Sequence, residues 1–554
     1  MLAGCAVGPE FLSPDMTVPS RWEHAPKTEQ EIADLPLPEN TQAWWDEFCD
    51  QDMKRLIARL IEANPDLHRA RARIDEALAQ RKTHVAGRIP HADLTAWRDD
   101  GFAEFGSGKI KRSDPKSRSE FWQIDAGWEL DLFGEHSRAI EASTAEASHK
   151  VESWRDVLVF LIGEVGIYYT EMRVNEERAA MASEFVNAYQ ETVRVSQERE
   201  ERGAASILEV EEATARLLRQ QANIPEYERL ASQARHQLAR LLACSSQELS
   251  QLITPDIRTP IPPLNIYAGI PADVVQARPD IRAAEDRIEA QVARLGLATT
   301  QLYPNLHLSG AITYEMITRG TTVDLLRQTI GGGTTFAKRL FHAGADRARV
   351  AEQEAYLQQD IRSYEATVLT AINEVEDALS DLHYGRLRKQ LLDEAARASS
   401  SASSRIREAY SFGLVDVGSL LRALEEDFQI QTEHLFARNL LAKGSVRLYK
   451  ATGGGQLPLP PDETPENLIA TRNKGLLRPL SVLFSLGSDR NYTLHSRNLI
   501  AKKDKEVAPA GTGTSTPVKP SQAPVSPFDS NTPFSQKPNP ADRFNRAFTR
   551  SSEG

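Results

Sequence analysis

Two long stretches of the chain repeat apolar residues at alternating intervals of three and four. The first stretch carries them at Val151, Trp154, Leu158, Leu161, Val165, Tyr168 and Met172, and the second at Leu357, Ile361, Tyr364, Val368, Ala371, Val375, Ala378 and Leu382. A period of about 3.5 residues predicts a long helix with a coiled-coil seam rather than the wider stripe of a globular-domain helix. Each stretch lies in a long proline-free part of the chain.

Each long helix is predicted to end at a glycine, after which the chain turns back. The first helix would run from about residue 137 to residue 202 and reach roughly 100 Å at 1.5 Å per residue. Gly203 in RGAAS and Gly413 in FGLVD follow the two helices, and a second apolar seam returns after each. Each half of the chain is therefore expected to contain a helical hairpin.

Strand-like sequence precedes each long helix. In FWQIDAGWELD, apolar residues that include Trp122 and Trp128 alternate with polar residues or glycine, and LHLSGAITY alternates in a similar way. A period of two predicts strands with one apolar, aromatic face and one polar face. Weaker candidates before Pro115 and at about residues 326–335 make two strands per half. A sheet packed on a soluble core is the alternative, but the aromatic face favours a transmembrane barrel wall with both tryptophans toward lipid.

Four strands per chain are too few for such a wall, because small barrels need about eight. Unpaired strand edges are not tolerated in lipid. If the strands span a membrane, several chains must therefore pool them, and the sequence predicts a homo-oligomer.

The body of the chain is an internal duplication. Asn64-Pro65-Asp66-Leu67 and Arg278-Pro279-Asp280-Ile281 each open a helical stretch, 214 residues apart, and Gly203 and Gly413 repeat at an offset of 210. The two offsets are nearly equal although the matched segments lie far apart along the chain, and this indicates an internal repeat. We divide the chain into a lipobox fragment (1–5), an extended segment (6–45), two strand-and-helix repeats (46–250 and 251–452) and a tail (453–554).

Composition limits the partners and the means of crossing a membrane. Of the 554 residues 26% are charged, and the mean hydropathy is -0.44. The longest apolar run, residues 157–162, is far shorter than the roughly 18 residues that a spanning helix needs, which leaves a closed barrel as the spanning structure. The net charge of -12 argues against a nucleic acid as a partner.

The last 102 residues differ from the rest. They hold 13 of the 30 prolines and carry 13 Lys and Arg against 9 Asp and Glu, so the tail has a net charge of +4 and the body -16. This composition predicts a disordered, solvated tail, because it offers too little apolar surface for a core.

The first residues, MLAGC, have the form of a bacterial lipobox that ends at Cys5. Only Met1 precedes this tetrapeptide, so the apolar part of a signal peptide is absent and the match by itself leaves chance open. The other cysteines, Cys49 and Cys244, show no spacing that decides whether they bond.

No catalytic, cofactor or metal site is predicted. The triple glycines at residues 331–333 and 453–455 lack the Lys-Ser/Thr of a phosphate-binding loop. Neither a Gly-x-Ser-x-Gly sequence nor a paired-histidine motif occurs.

These segments resemble one known family, the outer-membrane factors of tripartite export systems (TolC-like), and within it the lipoprotein (NodT-type) branch. The resemblance rests on CAVGPEFLSP, AWWDEFCDQDMKRLIARLIEANPDL, WELDLFG, ARPDIRAAEDRI, YPNLHLSG and LFHAGADRAR, in that order over about residues 2–450.

The resemblance implies a fold that is mainly α with β: a trimer whose twelve strands form an outer-membrane barrel and whose long helices form a periplasmic tube. It also implies a lipid on Cys5, a truncated signal peptide, and as partners a periplasmic adaptor and an inner-membrane pump.

The tube would be closed at its tip, where acidic residues are thought to help close the family's channel. This chain has Leu421-Arg422-Ala423 where the family often has Leu-Asp-Ala. We expect the periplasmic gate to involve Asp416, Arg422 and Glu425 at the second turn with Glu209 and Glu212 at the first. Arg422 is expected either to pair with Asp416, Glu425 or a carboxylate of another protomer, or to point into solvent.

The predicted function is that of a passive outer-membrane exit duct for small molecules, driven by the pump. A soluble coiled-coil scaffold is the alternative, which leaves the aromatic strands unexplained. The exported substrate is not predicted.

Overall fold

The computed structural model describes residues 6–14, 18–19, 21–24, 45, 48, 50–101, 117–255, 258–260, 276–319 and 322–454. The chain divides into two units, residues 1–476 and 477–554, and the second unit lies wholly outside the described residues. Cys5 and the tail beyond Gly454 also lie outside them, so the lipidation and the disorder of the tail stay predictions.

Eight helices and four strands form the described part of the first unit. They are α1 (Gln51–Ala63), α2 (Pro65–Ala86), β1 (His91–Gly101), β2 (Ser117–Leu130), α3 (Glu135–Glu201), α4 (Ile207–Leu241), α5 (Ser246–Leu252), α6 (Pro279–Thr300), β3 (Asn305–Arg319), β4 (Thr322–Ala337), α7 (Ala345–Ser411) and α8 (Val417–Ala451).

The order helix, two strands, long helix, returning helix occurs twice. The long helices α3 and α7 both have 67 residues, the returning helices α4 and α8 both have 35, and α2 and α6 both have 22. The predicted internal repeat is confirmed, whereas the exact domain boundaries stay a prediction. Both α2 and α6 begin with proline, which suits the first turn of a helix because its missing N–H has no partner there.

The four strands form one antiparallel sheet in the order β1-β2-β3-β4. The two weak strand candidates are therefore strands, as predicted. Within the described residues β1 pairs only with β2 and β4 only with β3, so the outer edges of β1 and β4 carry no strand partner.

The helices pack around α3, which contacts α1, α2, α4, α6 and α8. Consecutive positions such as Leu158 and Val159, or Leu161 and Ile162, are therefore all buried in its middle. The predicted seam positions on α3 are buried, with Tyr168 only partly so, but the buried surface is wider than the expected narrow seam, because neighbours surround this part of the helix on several sides. On α7 the expected seam is correct from Tyr364 to Leu382, where the predicted positions are buried and most of the residues between them are more exposed.

The N-terminal segment lies along the same helices. The Val7 N–H donates to the Phe133 carbonyl (3.2 Å), and Ala6 lies against Gly134, at the start of α3. Trp22 is buried in a cluster formed by α7 and α8. The segment thus begins at the point where β2 leads into α3.

Both long helices end in the same glycine turn. Gly203 and Gly413 adopt left-handed φ values of 71° and 72°. The following residues, Ala204 and Leu414, donate their N–H groups to the carbonyls of Arg199 and Ala409, five residues back, at 2.8 and 2.9 Å. This is the Schellman arrangement that satisfies carbonyls at a helix end.

None of the helices in the described ranges is both long and apolar enough to cross a membrane.

We expect Gly413→Ala to destabilise the protein by about 1 kcal/mol, because a side chain disfavours the left-handed backbone. Nothing lies within 4 Å of the added Cβ, so the cost comes from the backbone and not from a clash. Gly413→Asn is the matched control and should cost less, since asparagine tolerates this conformation. Thermal unfolding of the purified protein measures both, and equal losses would contradict the explanation.

Candidate functional site

One face of the sheet carries an apolar row that crosses all four strands. Leu94, Ile124, Ile312 and Ile330 are direct neighbours in the register, and each is about half exposed or more. Exposed apolar side chains in such a continuous row are uncommon on a protein that faces only water. The row therefore indicates a surface that contacts an apolar environment or another chain.

The opposite face is mainly polar. Asp93 lies directly opposite Asp125, and the next row contains Thr95, Gln123, Thr313 and Thr329. Across these rows the sheet separates the two kinds of side chain as the alternation predicts, whereas further along the strands the apolar face also carries a charged pair, Arg98 opposite Glu120. One aromatic pair departs from this division, because Trp97 and Phe121 stack on the polar face with their ring centroids 5.5 Å apart.

Trp122 and Trp128 both lie on the apolar face. Their side chains are 51% and 36% exposed. Trp122 is opposite Tyr314 on β3, and Trp128 donates its indole N–H to the carbonyl of Arg88 (3.0 Å). A large ring with one satisfied polar atom suits a boundary between water and an apolar phase. Their contact with lipid stays a prediction.

The two helical turns are held together by an apolar cluster below them. Tyr189 on α3, Ala213 on α4, Tyr410 on α7, and Leu420 and Leu424 on α8 are all buried within it. The hydroxyls of Ser196 and Tyr410 also form a hydrogen bond of 3.1 Å between α3 and α7. The cluster thus brings both hairpins together at the end where the glycine turns lie.

Asp416 caps the N-terminus of α8. Its carboxylate accepts from the Ser419 N–H (2.9 Å) and the Ser419 hydroxyl (2.7 Å). These hydrogen bonds, with a smaller contribution from the charge of Arg422, hold the pKa of Asp416 below its usual value. Asp416 therefore fixes the turn as an ionised cap.

Arg422 makes no ion pair in the described part of the chain. Its guanidinium donates to the Ser419 hydroxyl (3.1 Å), so it meets Asp416 only through that serine. The pairs expected with Asp416 and Glu425 are therefore not formed within one chain, because Ser419 lies between the first two and Glu425 faces α4. A partner in another protomer and a solvent-facing side chain are the remaining expectations.

Glu425 instead joins two helices. It pairs with Arg216 and, at 3.0 Å, with Arg219, both on α4. Sequence reasoning missed these arginines, although their spacing of three places them on one face of α4. Of the acids predicted at the first turn, Glu209 is partly buried and Glu212 exposed, and neither forms an ion pair with another described residue.

We call the ion pairs of Glu425 with Arg216 and Arg219 the latch. A separate cleft of about 800 Å³ lies between α3 and α7. Serines 400, 403 and 404 line its α7 side, and Asp427 of α8 also lines it. Asp427 is buried but accepts from the hydroxyls of Ser399 and Ser403, both at 2.7 Å. The serine-rich stretch thus leaves space between the long helices and supplies hydrogen bonds to a buried carboxyl group.

No three His, Cys, Asp or Glu side chains in the described ranges are placed to hold a metal ion. Cys244 is a free thiol there, while Cys49 lies outside the described residues.

Known proteins share this architecture. The family model described as outer membrane efflux protein matches residues 56–243 and 270–454, which are the two repeats. Nodulation protein T of Rhizobium leguminosarum bv. viciae is 29% identical over 463 residues, covering 82% of this chain and 92% of that protein. The cation efflux system protein CusC of Escherichia coli is 26% identical over 466 residues, covering 82% and 96%.

The solved structure of the outer-membrane channel OprN has a TM-score of 0.72 and 29% identity, and the match covers 82% of this chain and 100% of that one. The fold and family expected from the sequence are therefore confirmed. The chain belongs to the outer membrane efflux protein family, and it is an outer-membrane exit duct of an efflux system.

Proposed function

We propose that three copies of this chain form one passive duct, and that a periplasmic adaptor and an inner-membrane pump drive small molecules through it. The observation that carries this proposal is the four-stranded sheet, whose two outer edges have no strand partner among the described residues. An unpaired edge in lipid leaves its backbone N–H and C=O groups without hydrogen bonds. Pairing β4 of one copy with β1 of the next satisfies both edges, and three copies supply twelve strands.

The two faces of the sheet determine which side is turned toward lipid in the assembled wall and which toward the lumen. The apolar row at Leu94, Ile124, Ile312 and Ile330 faces lipid in the assembled wall, and the row that contains Asp93 and Asp125 faces the lumen. This arrangement removes the apolar face from water and keeps the carboxylates hydrated. It also gives Trp122 and Trp128 the lipid contact predicted for them.

The chain itself supplies no energy and catalyses no reaction in this proposal. Its support is the likeness to efflux proteins over both repeats. The names of the two relatives refer to different processes, nodulation and cation efflux. We therefore assign no substrate to this chain beyond small molecules. A soluble scaffold gives no role to the exposed apolar row, and no further observation favours it.

The periplasmic gate is the pair of glycine turns with the charged residues around them. The latch between Glu425 and the two arginines holds α8 against α4 within each copy. Arg422, Glu209 and Glu212 have no ion pair of their own in the described part of a single chain, so they are available to a neighbouring copy. Closure then depends on charge pairs, which salt weakens.

Trimer formation tests the proposed duct. The full-length protein should be recovered from the membrane fraction only with detergent and should have three times the mass of one chain by native mass spectrometry. Deleting the residues after Gly454 should leave the trimer yield unchanged, because their composition supports no core. Recovery of the protein as a soluble monomer would overturn the proposal.

We also expect Cys5 to carry a lipid in the full-length protein. Ala6 lies at the junction of β2 and α3, so an acyl group on the preceding residue starts next to the end of the proposed barrel wall. A single acyl chain anchors a protein only weakly. We therefore expect Cys5→Ser to remove the mass of the lipid but to leave most of the protein in the membrane. Expression behind a lipoprotein signal peptide followed by intact-mass analysis measures this. An unlipidated wild-type protein would contradict it.

For the gate, we expect Glu425→Gln to raise the open fraction of single trimers in planar bilayers by up to about fivefold at low salt. The estimate takes about 0–1 kcal/mol for partly exposed ion pairs. High salt should reduce the difference between the variant and the wild type. Glu226→Gln is the matched control, because it removes a pair with Arg229 inside α4 and joins no two helices.

The same bilayer recordings test whether Arg422 helps to close the gate. Arg422→Ala should raise the open fraction at low salt if this cation pairs with a carboxylate of a neighbouring protomer. Equal open fractions for Arg422→Ala and the wild type at every ionic strength would show that Arg422 has no part in the gate. Equal open fractions for Glu425→Gln and Glu226→Gln would show that the latch has no part in it.

A further inference from the structure

The two repeats meet inside each chain along an interface that runs from the sheet to the helices. β2 of the first repeat pairs with β3 of the second, and α3, which follows β2, packs on α6, which precedes β3. The outer elements of the repeats, α2 with β1 and β4 with α7, form no such interface within the described part of one chain. Each copy thus contains one complete interface between repeats and the two halves of a second.

Aromatic side chains close the complete interface where β2 turns into α3. Phe133 lies in this corner, and its ring stacks on that of Tyr303, which precedes β3, with the ring centroids 5.0 Å apart. The two residues continue the register of the strands, because Leu130 is opposite Leu306 and each aromatic residue lies three positions further along its chain segment. Phe133 is partly buried as a result.

The corresponding corner between β4 and α7 also contains an aromatic residue, but a single copy leaves it uncovered. Both corners end at a left-handed glycine, Gly134 with φ 85° and Gly344 with φ 84°, and both contain Leu-Phe shortly before it, in LFG and in LFHAG. Phe341 of the second corner is 90% exposed. Ile89, which precedes β1 as Tyr303 precedes β3, is 56% exposed. The counterparts of the stacked rings are therefore unpacked in one copy.

The stagger of the strands brings these two residues together when copies join edge to edge. β1 begins opposite position 127 of β2, and β3 begins opposite position 131, which is four residues closer to the helices. β3 begins opposite Ala337 of β4. The same step of four residues places the start of β1 of the next copy opposite Phe341. Ile89 lies two residues before that start, within the diagonal reach of an aromatic side chain.

The helices on either side of this second interface have complementary charges. The 22 residues of α2 include five Lys and Arg against three Asp and Glu, whereas the first 22 residues of α7 include five Asp and Glu against three Arg. α2 runs toward the sheet and α7 away from it, so the two lie antiparallel once β4 and β1 of adjacent copies pair. Opposite net charges favour this contact and disfavour a contact of either helix with its own copy.

We propose that Phe341 of each copy packs against Ile89 of the next copy and closes the wall of the duct where the strands lead into the helices. The inference rests on the proposed trimer, and it adds the stagger and the residues by which the copies join. Pairing with β1 of the next copy extends β4 from Ala337 to Phe341. The partner is a second copy of this chain rather than lipid, because α2 of that copy matches the charge of α7 beside the same corner.

Cysteine cross-linking of the full-length protein in membranes tests the contact. In a background with Cys49→Ser and Cys244→Ser, we would combine Ile89→Cys with Phe341→Cys and add a short reagent that joins two thiols. Most of the protein should then run as covalently linked copies on a denaturing gel. The two single variants, Ile89→Cys and Phe341→Cys, should remain unlinked, since neither side chain meets its own equivalent.

A second pair of variants tests the stagger through a direct disulfide. Leu340 is opposite Ala92 of the next copy in the proposed alignment, and Cα atoms that face each other across antiparallel strands are about 4.5–5.5 Å apart, which suits a disulfide. Leu340→Cys with Ala92→Cys should therefore link copies under mild oxidation. Ile330→Cys with Ala92→Cys is the matched control on the same strands and the same face. Its two positions are roughly 30 Å apart in this alignment and should not link.

The outcomes distinguish this contact from the trimer itself. Trimers by native mass spectrometry together with unlinked Ile89/Phe341 and Ala92/Leu340 pairs, or with linkage of the control pair, would overturn the stagger and leave the duct standing. A monomeric wild-type protein would overturn both.

Alanine variants give an independent measurement if the cysteine pairs fold poorly. Phe341→Ala should lower the fraction of trimer when the protein is diluted in detergent. Adding Ile89→Ala to it should cause little further loss, because both substitutions remove the same contact. Losses that simply add would contradict the contact between these two side chains.

Discussion

The backbone hydrogen-bonding groups on the outer edges of β1 and β4 impose the constraint on which the proposed assembly depends. A strand edge in water can bond to solvent, but a strand edge in lipid cannot. One face of the sheet carries an exposed apolar row, so within the described part of one copy the sheet lacks partners both at its edges and on that face. Both deficits are removed by the same arrangement, in which copies join edge to edge.

The helices meet a different requirement, because each long helix must end and return within a few residues. The paired glycine turns do this through left-handed backbone at Gly203 and Gly413 and carbonyls that are satisfied five residues back. The apolar cluster below the turns then fixes the hairpins against each other. Charged groups at the turns are consequently positioned by packed helices, as the proposed gate requires.

Charged side chains near the turns join the two hairpins. A carboxylate and two arginines on different helices attract each other, and Glu425 joins α8 to α4. Because this contact is partly exposed, it is sensitive to salt.

The sequence by itself determined the element types, the repeat, the two faces of the sheet and the family. The element types and the two faces follow from local rules: a period of two or of about 3.5 residues, proline at helix starts and glycine at helix ends. The repeat follows from sequence offsets, and the family from the resemblance of whole sequence segments. By the same local rules, Trp122 and Trp128 were placed correctly on the apolar face of the sheet, and Gly203 and Gly413 at the helix ends.

Only the tertiary structure decided which side chains meet. The partners of Glu425 lie more than 200 residues earlier in the chain, and Arg422, expected either to pair with an acid or to point into solvent, donates a hydrogen bond to the Ser419 hydroxyl. The wide burial in the middle of α3 also depends on five neighbouring helices that no local period reveals. A hydrophobic or polar pattern specifies the face on which a residue lies, whereas contacts between distant helices depend on how those faces are rotated and packed together.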